Sequence, residues 1–175
     1  EISRRKFLTS VSLLGAAGLA APSLSFGLAP KKLKVVLVGT GIRGVTFWGK
    51  RLVDQYSDVL EFVGLCDINQ GRLEFAQKYI GVNCPLFLDF EKMVRETKPD
   101  LVIVTTVDGT HHEFIIKGLQ MDCDVLTEKP LTTDEKKCQD IIDAEKKSNK
   151  NLIVGFNYRW SPYTTKIKEL LTQNA

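Results

Sequence analysis

Histidine, methionine and tryptophan are scarce in this chain, with two of each in 175 residues, and the four cysteines (Cys66, Cys84, Cys123 and Cys138) include no C-x-x-C pair. Without paired thiols there is no pattern for a zinc ribbon or a thioredoxin-like redox motif, and no metal site is expected. The cysteines read as buried free thiols, because an unpaired Cys packs as a small hydrophobe; a disulfide stays open if the protein matures in an oxidising compartment. A large charge of one sign is also lacking. The net charge is +3, and Arg4, Arg5 and Lys6 against Glu1 place most of it in the first twenty residues. The near-neutral remainder gives no electrostatic case for nucleic acid. No apolar run reaches the roughly twenty residues that a membrane-spanning helix needs, so stable membrane insertion is not expected. No internal repeat or low-complexity stretch appears, and the composition is that of one globular domain with a core.

What is present begins with an address. Ser3-Arg4-Arg5-Lys6-Phe7-Leu8 leads into a charge-free run of small and apolar residues, Leu8 to Ala21. A basic segment followed by a short apolar one is the layout of a signal peptide. The paired arginines followed by Phe-Leu resemble a twin-arginine (Tat) signal, with cleavage expected after Ala20. Residues 1–20 are therefore assigned to export out of the cytoplasm, into the periplasm or its equivalent, and 21–33 to a flexible lead. The alternative is an amphipathic helix that stays attached, against which stands the absence of a polar face.

From Lys34 onward, short β-branched runs alternate with longer amphipathic stretches, the pattern of βαβ units around a parallel sheet. Strands are predicted at Lys34–Val38, Glu61–Cys66, Pro85–Leu88, Leu101–Thr105, Asp124–Thr127 and Leu152–Gly155. Helices are predicted at Val45–Tyr56, Gly71–Ile80, Phe90–Glu96, Thr110–Gln120, Thr133–Ser148 and Ser161–Leu171. Leu101-Val102-Ile103-Val104 does not alternate in polarity, as expected of a central strand covered on both faces. The fold class is α/β, a Rossmann-type doubly wound and mainly parallel sheet over residues 34–160.

Gly39-Thr40-Gly41-Ile42-Arg43-Gly44 follows the first strand and opens a helix, which is the context a dinucleotide fingerprint requires. Gly39 permits the tight turn, Gly41 lets the backbone approach a pyrophosphate, and Gly44 allows close helix–strand packing. The helix N-terminus then offers unpaired N–H groups to the phosphates. The second strand ends in Asp67, placed to accept from the adenosine ribose hydroxyls. The alternatives are an ordinary tight turn for the glycines and a helix-capping acid for Asp67. An acid there repels a 2′-phosphate and favours NAD, with NADP left possible because Arg43 or Arg72 lies near enough in sequence to cover a phosphate.

Three further clusters sit at strand ends, where ligands bind in open parallel sheets. They are Thr105-Thr106-Val107-Asp108-Gly109-Thr110-His111 after the fourth strand, Thr127-Glu128-Lys129-Pro130 after the fifth, and Gly155-Phe156-Asn157-Tyr158-Arg159 after the sixth. From Lys34 to the C-terminus, these motifs resemble the glucose-fructose oxidoreductase / inositol dehydrogenase (Gfo/Idh/MocA) family, with Glu-Lys-Pro the most diagnostic. The resemblance implies that Lys129 lies beside the nicotinamide and the reacting hydroxyl as the catalytic residue, and that its bond to Pro130 is cis. It also implies that Asp108, His111, Glu128 and Asn157 line the cofactor, and Thr105, Thr106 and Arg159 are grouped with them. Two departures stand out: Val107 replaces the usual Pro, and Asp122 the usual Gly before the fifth strand. His111 has a second reading as a helix-start histidine. His112 and Glu113 read as a solvated first turn, and Trp160, Phe156 and Tyr158 as packing residues.

Members of the family carry a second α/β domain that forms the substrate wall, and residues 161–175 read as the start of the connection to it. The expected function is hydride transfer between nicotinamide and a sugar or polyol hydroxyl or carbonyl, with any homo-oligomer built through that second domain. Two alternatives are carried. One is an NAD-dependent glycoside hydrolase of the same superfamily, a branch that tends to replace the lysine after the glutamate. The other is a non-catalytic dinucleotide-binding module.

Overall fold

The computed structural model describes residues 31–173. The export signal expected over 1–20, and the lead as far as Pro30, lie outside the described residues. Six parallel strands form one sheet: β1 (Leu33–Val38), β2 (Leu60–Cys66), β3 (Leu86–Phe87), β4 (Leu101–Val104), β5 (Asp124–Glu128) and β6 (Leu152–Gly155). Their spatial order is β3-β2-β1-β4-β5-β6. The chain thus runs outward from β1 to one edge, returns to its other side at β4, and leaves a crevice where the order reverses. This is the doubly wound arrangement predicted, and ligands bind at that reversal.

Alternation along the strands explains why both faces are covered. Val36 and Val38 of β1, with Val102 and Val104 of β4, face one core; Val35 and Leu37, with Ile103, face the other. The first core is closed by helices α3 (Phe90–Thr97), α4 (His111–Gln120) and α5 (Glu135–Lys147), through Phe90, Met93, Ile115, Leu119 and Ile141. The second is closed by α1 (Gly44–Lys50 continuing as Arg51–Tyr56) and α2 (Gln70–Ile80), through Val45, Leu73, Ala76 and Ile80. Each fully buried aliphatic side chain contributes about 1.5–3 kcal/mol, so β1 is secured from both sides. Pro162–Gln173 forms the last helix, α6.

Helix starts follow local chemistry. Asn69, Asp89 and Asp134 are extended residues whose side chains accept the backbone N–H three positions on, capping α2, α3 and α5. Asp134 lies within the predicted Thr133–Ser148 helix and caps α5 one residue later than its predicted start, while Asn69 rather than Asp67 caps α2. The opening of α1 differs from the regular helix predicted: Gly44–Lys50 is wound as a π-helix, and the Arg51 N–H donates to the Thr46 carbonyl. The wider turn has a structural consequence at the site, described below.

Both family departures keep the backbone shape of the residue they replace. Val107 has φ −72°, inside the range a proline ring imposes. Asp122 has φ +63°, the left-handed conformation that glycine favours and aspartate tolerates. The thiols of Cys66, Cys84 and Cys123 are unpaired and buried, and Cys138 is unpaired and half-buried.

Candidate active site

The glycine loop is built against the end of β4. Gly39 has φ +88°, and a Cβ on it would lie 2.6 Å from the Thr105 carbonyl; one on Gly44 would lie 2.4 Å from the Gly39 oxygen. Neither position has room for a side chain. The Thr105 hydroxyl donates to the Gly39 carbonyl at 2.6 Å, and the residue also lines the cleft in which it was expected. Gly41 is the opposite case, since a Cβ there would meet nothing within 4 Å. The backbone at Gly41 thus faces open space at a helix N-terminus, and the loop fits a pyrophosphate.

Asp67, at the end of β2, is buried and ties the loop down. Its Oδ2 accepts from the Thr40 amide at 2.7 Å and the Thr40 hydroxyl at 2.9 Å, and its Oδ1 accepts from the Asn69 amide at 3.0 Å. A carboxylate has about four acceptor positions, so one remains for a ribose hydroxyl. Beside it, burial pushes the Cys66 thiol up to about 12, reinforced by the Asp67 and Asp89 carboxylates. Ile42 stands almost fully exposed on the loop, and Arg72 is exposed in the first turn of α2.

Arg43, left open in the sequence as one of two arginines near enough to cover a phosphate, is engaged elsewhere in the structure. Its Nε donates to Glu128 Oε1 at 2.6 Å and its Nη2 to Asn157 Oδ1 at 2.8 Å, so its side chain reaches the ends of β5 and β6. Its guanidinium lies 3.9 Å from the Phe47 ring centroid. Trp48 Nε1 donates to the same Glu128 oxygen at 2.7 Å. The π-helical opening of α1 is what lets Arg43 and Trp48, five residues apart, converge on one acceptor. Glu128 Oε2 accepts from the Lys129 amide at 3.2 Å. Glu128 is thus a buried carboxylate held from three sides, and it also lines the candidate cleft.

Lys129 is exposed at the mouth of a cleft of about 360 Å³, which Arg43, Thr106, Asp108, His111, Glu128 and Asn157 help to line. Its bond to Pro130 is cis, as the resemblance implied. Among the described residues its ammonium has no ion-pair partner. His111 is buried to 1% exposure, and its ring nitrogens lie 2.8 Å from the Pro130 carbonyl and 3.1 Å from the Thr106 carbonyl. It borders the cleft, but its polar atoms are turned inward. The ring therefore ties the β4 loop to the Lys-Pro turn. Asp108 and Asn157 are exposed and line the cleft, and Arg159 is exposed nearby in sequence on the one-turn helix Asn157–Trp160.

Three expectations around the site change. Phe156 and Tyr158 are 59% and 72% exposed, so they are surface rather than packing residues. His112 is half-buried, with Nδ1 shielded and unpartnered, so only Glu113 is a solvated first-turn residue. Trp48 went unremarked in the sequence, although an indole N–H near a core needs an acceptor. Among the described residues, no group of His, Cys, Asp and Glu is placed to hold a metal ion.

Comparison with known proteins places this geometry. The model of the Gfo/Idh/MocA family, described as "Oxidoreductase family, NAD-binding Rossmann fold", matches residues 33–156. A putative oxidoreductase, YteT, of Bacillus subtilis is 37% identical over 141 residues, covering 78% of this chain and 33% of that protein. An inositol 2-dehydrogenase/D-chiro-inositol 3-dehydrogenase of Lactiplantibacillus plantarum is 29% identical, covering 75% and 39%. Among solved structures, myo-inositol dehydrogenase from Lactobacillus casei in complex with NAD(H) and myo-inositol aligns with TM-score 0.76 and 28% identity, covering 82% of this chain and 42% of that one. The chain spans roughly a third to two fifths of the length of these curated relatives. A glycine loop on β1, an acid on β2 and a Glu-Lys-Pro turn on β5 are thus the parts of a known plan, and the chain belongs to the Gfo/Idh/MocA oxidoreductase family as its NAD-binding Rossmann domain.

Proposed function

We propose that this chain is the cofactor-binding part of an NAD(P)-dependent oxidoreductase that moves a hydride between nicotinamide and a hydroxyl or carbonyl carbon of a sugar or polyol. The observation that carries the reading is Lys129, whose ammonium has no ion-pair partner among the described residues and which lines a cleft that Arg43 of the glycine loop also lines. The bound nicotinamide supplies the hydride chemistry. Lys129 holds the reacting oxygen and takes or returns its proton. The backbone from Gly39 to Gly44 receives the pyrophosphate. Asp67 accepts from the adenosine ribose and disfavours a 2′-phosphate, so NAD is preferred to NADP. Thr106, Asp108, Asn157 and Arg159 border the nicotinamide end. Substrate selection, and any homo-oligomer, belong to the remainder of a full-length protein, to which residues 161–175 connect.

Calorimetric titration of the chain should show saturable NAD+ binding, tighter than NADP+; absence of heat with either would sink the proposal. In full-length protein, NADH should form with myo-inositol or a related polyol, and Lys129→Met should lower kcat by about 10²–10⁴-fold. Cleavage of an aryl glycoside without net NADH would favour the hydrolase instead. We further propose that residues 1–20 direct Tat export, on the strength of Arg4-Arg5 ahead of the apolar run. Replacing both arginines by lysine should leave the protein in the cytoplasmic fraction.

A further inference from the structure

Next to Lys129 in the chain stands a buried carboxylate, which is the nearest available way to disable a lysine needed for proton transfer. Glu128 does not take it. Its Oε1 is shared by Arg43 and Trp48, and its Oε2 faces the Lys129 backbone amide rather than the ammonium. Arg43 reaches Glu128 from 85 positions away, with a side chain 39% exposed against 7% for its partner, and is fixed by Asn157 and by the Phe47 ring. A guanidinium forms such forked contacts where an ammonium cannot.

We infer that Arg43 is a positioning residue that neutralises Glu128 so that the Lys129 ammonium stays unpaired and available to substrate. The inference rests on the proposed role of Lys129. The other charged groups around the cleft are Asp108 and His111 after β4; Arg159 lies on the β6 side, and the Lys137 ammonium is held by the Gly109 carbonyl at 3.0 Å. Without Arg43, Glu128 is left as an uncompensated buried anion, and the cation closest in sequence is Lys129. The ammonium then turns back onto Glu128, and a paired ammonium keeps its proton to higher pH. Arg43 also sits in the loop expected to hold the pyrophosphate, so the same residue ties dinucleotide seating to the state of the lysine.

The test is competitive acetylation of the chain with acetic anhydride across pH, with modification at Lys129 read by peptide mass. Exposed Lys146 serves as internal control. Arg43→Met should move the Lys129 labelling midpoint up by about one pH unit, and adding Glu128→Gln should return it to the parent position. Arg43→Lys, which keeps the charge, should stay near the parent. An unchanged midpoint in Arg43→Met, or a shift that persists with Glu128→Gln, overturns the inference. If Arg43→Met does not fold, Arg43→Gln keeps a donor without the charge and is read the same way. Emission of Trp48 in a Trp160→Phe background reports whether the Glu128 site is intact. Failure of the parent to bind NAD+ counts against the proposed function alone, because the labelling is done without cofactor.

Discussion

At the scale of single residues, the three loop glycines are unequal. Gly44→Ala drives a Cβ into the Gly39 carbonyl and should cost about 1–3 kcal/mol of stability in a urea titration, with loss of NAD+ binding. Gly41→Ala, with open space around it, should fold as the parent does and lose affinity alone. Val107→Pro should raise stability by about 0.5–1 kcal/mol, since the backbone already has a proline-like φ and the unfolded chain becomes stiffer. The motif showed where the glycines lie and what each permits, because those demands are local. It could not show that Arg43 leaves the phosphate side for Glu128, a contact between residues on either side of the sheet crevice. Nor could it show that His111 and Thr105 bond to backbone carbonyls.

Among elements, all six strands were legible as short apolar runs, because a doubly covered parallel sheet writes its burial directly into sequence. An Asn or Asp stands immediately before each of α2, α3 and α5 and caps it. Asp89→Ala should cost about 1 kcal/mol in thermal or urea unfolding, and Asp89→Asn much less, because an amide oxygen can still accept the Lys92 N–H. The π-helical start of α1 was not legible. It brings Trp48 and Arg43 onto an acceptor eighty or more residues away, and periodicity within α1 carries no trace of that partner.

For the whole molecule, the sheet interior sets an alkaline limit. Burial pushes the Cys66 thiol to about 12 and those of Cys84 and Cys123 to about 11, against an ordinary value near 9. Above pH 9 the unfolded chain releases these protons while the native one retains them. Stability from this source is therefore complete below pH 9 and lost as pH rises toward 11–12. Urea midpoints measured from pH 8 to 11 should decline, and serine at all three positions should flatten the decline. A disulfide reagent should modify Cys138 first and the others only on unfolding. The sheet is also unequal in its two edges. β3 contributes two residues, paired as Leu65 with Leu86 and Cys66 with Phe87, and the Asp67 amide hangs on the Phe87 carbonyl. Amide hydrogens at that edge should exchange with deuterium faster than those of β1 and β4, which have a strand on either side. The Asp67 end of the crevice is thus expected to open before the centre of the sheet, since its backbone leans on a strand of only two paired residues.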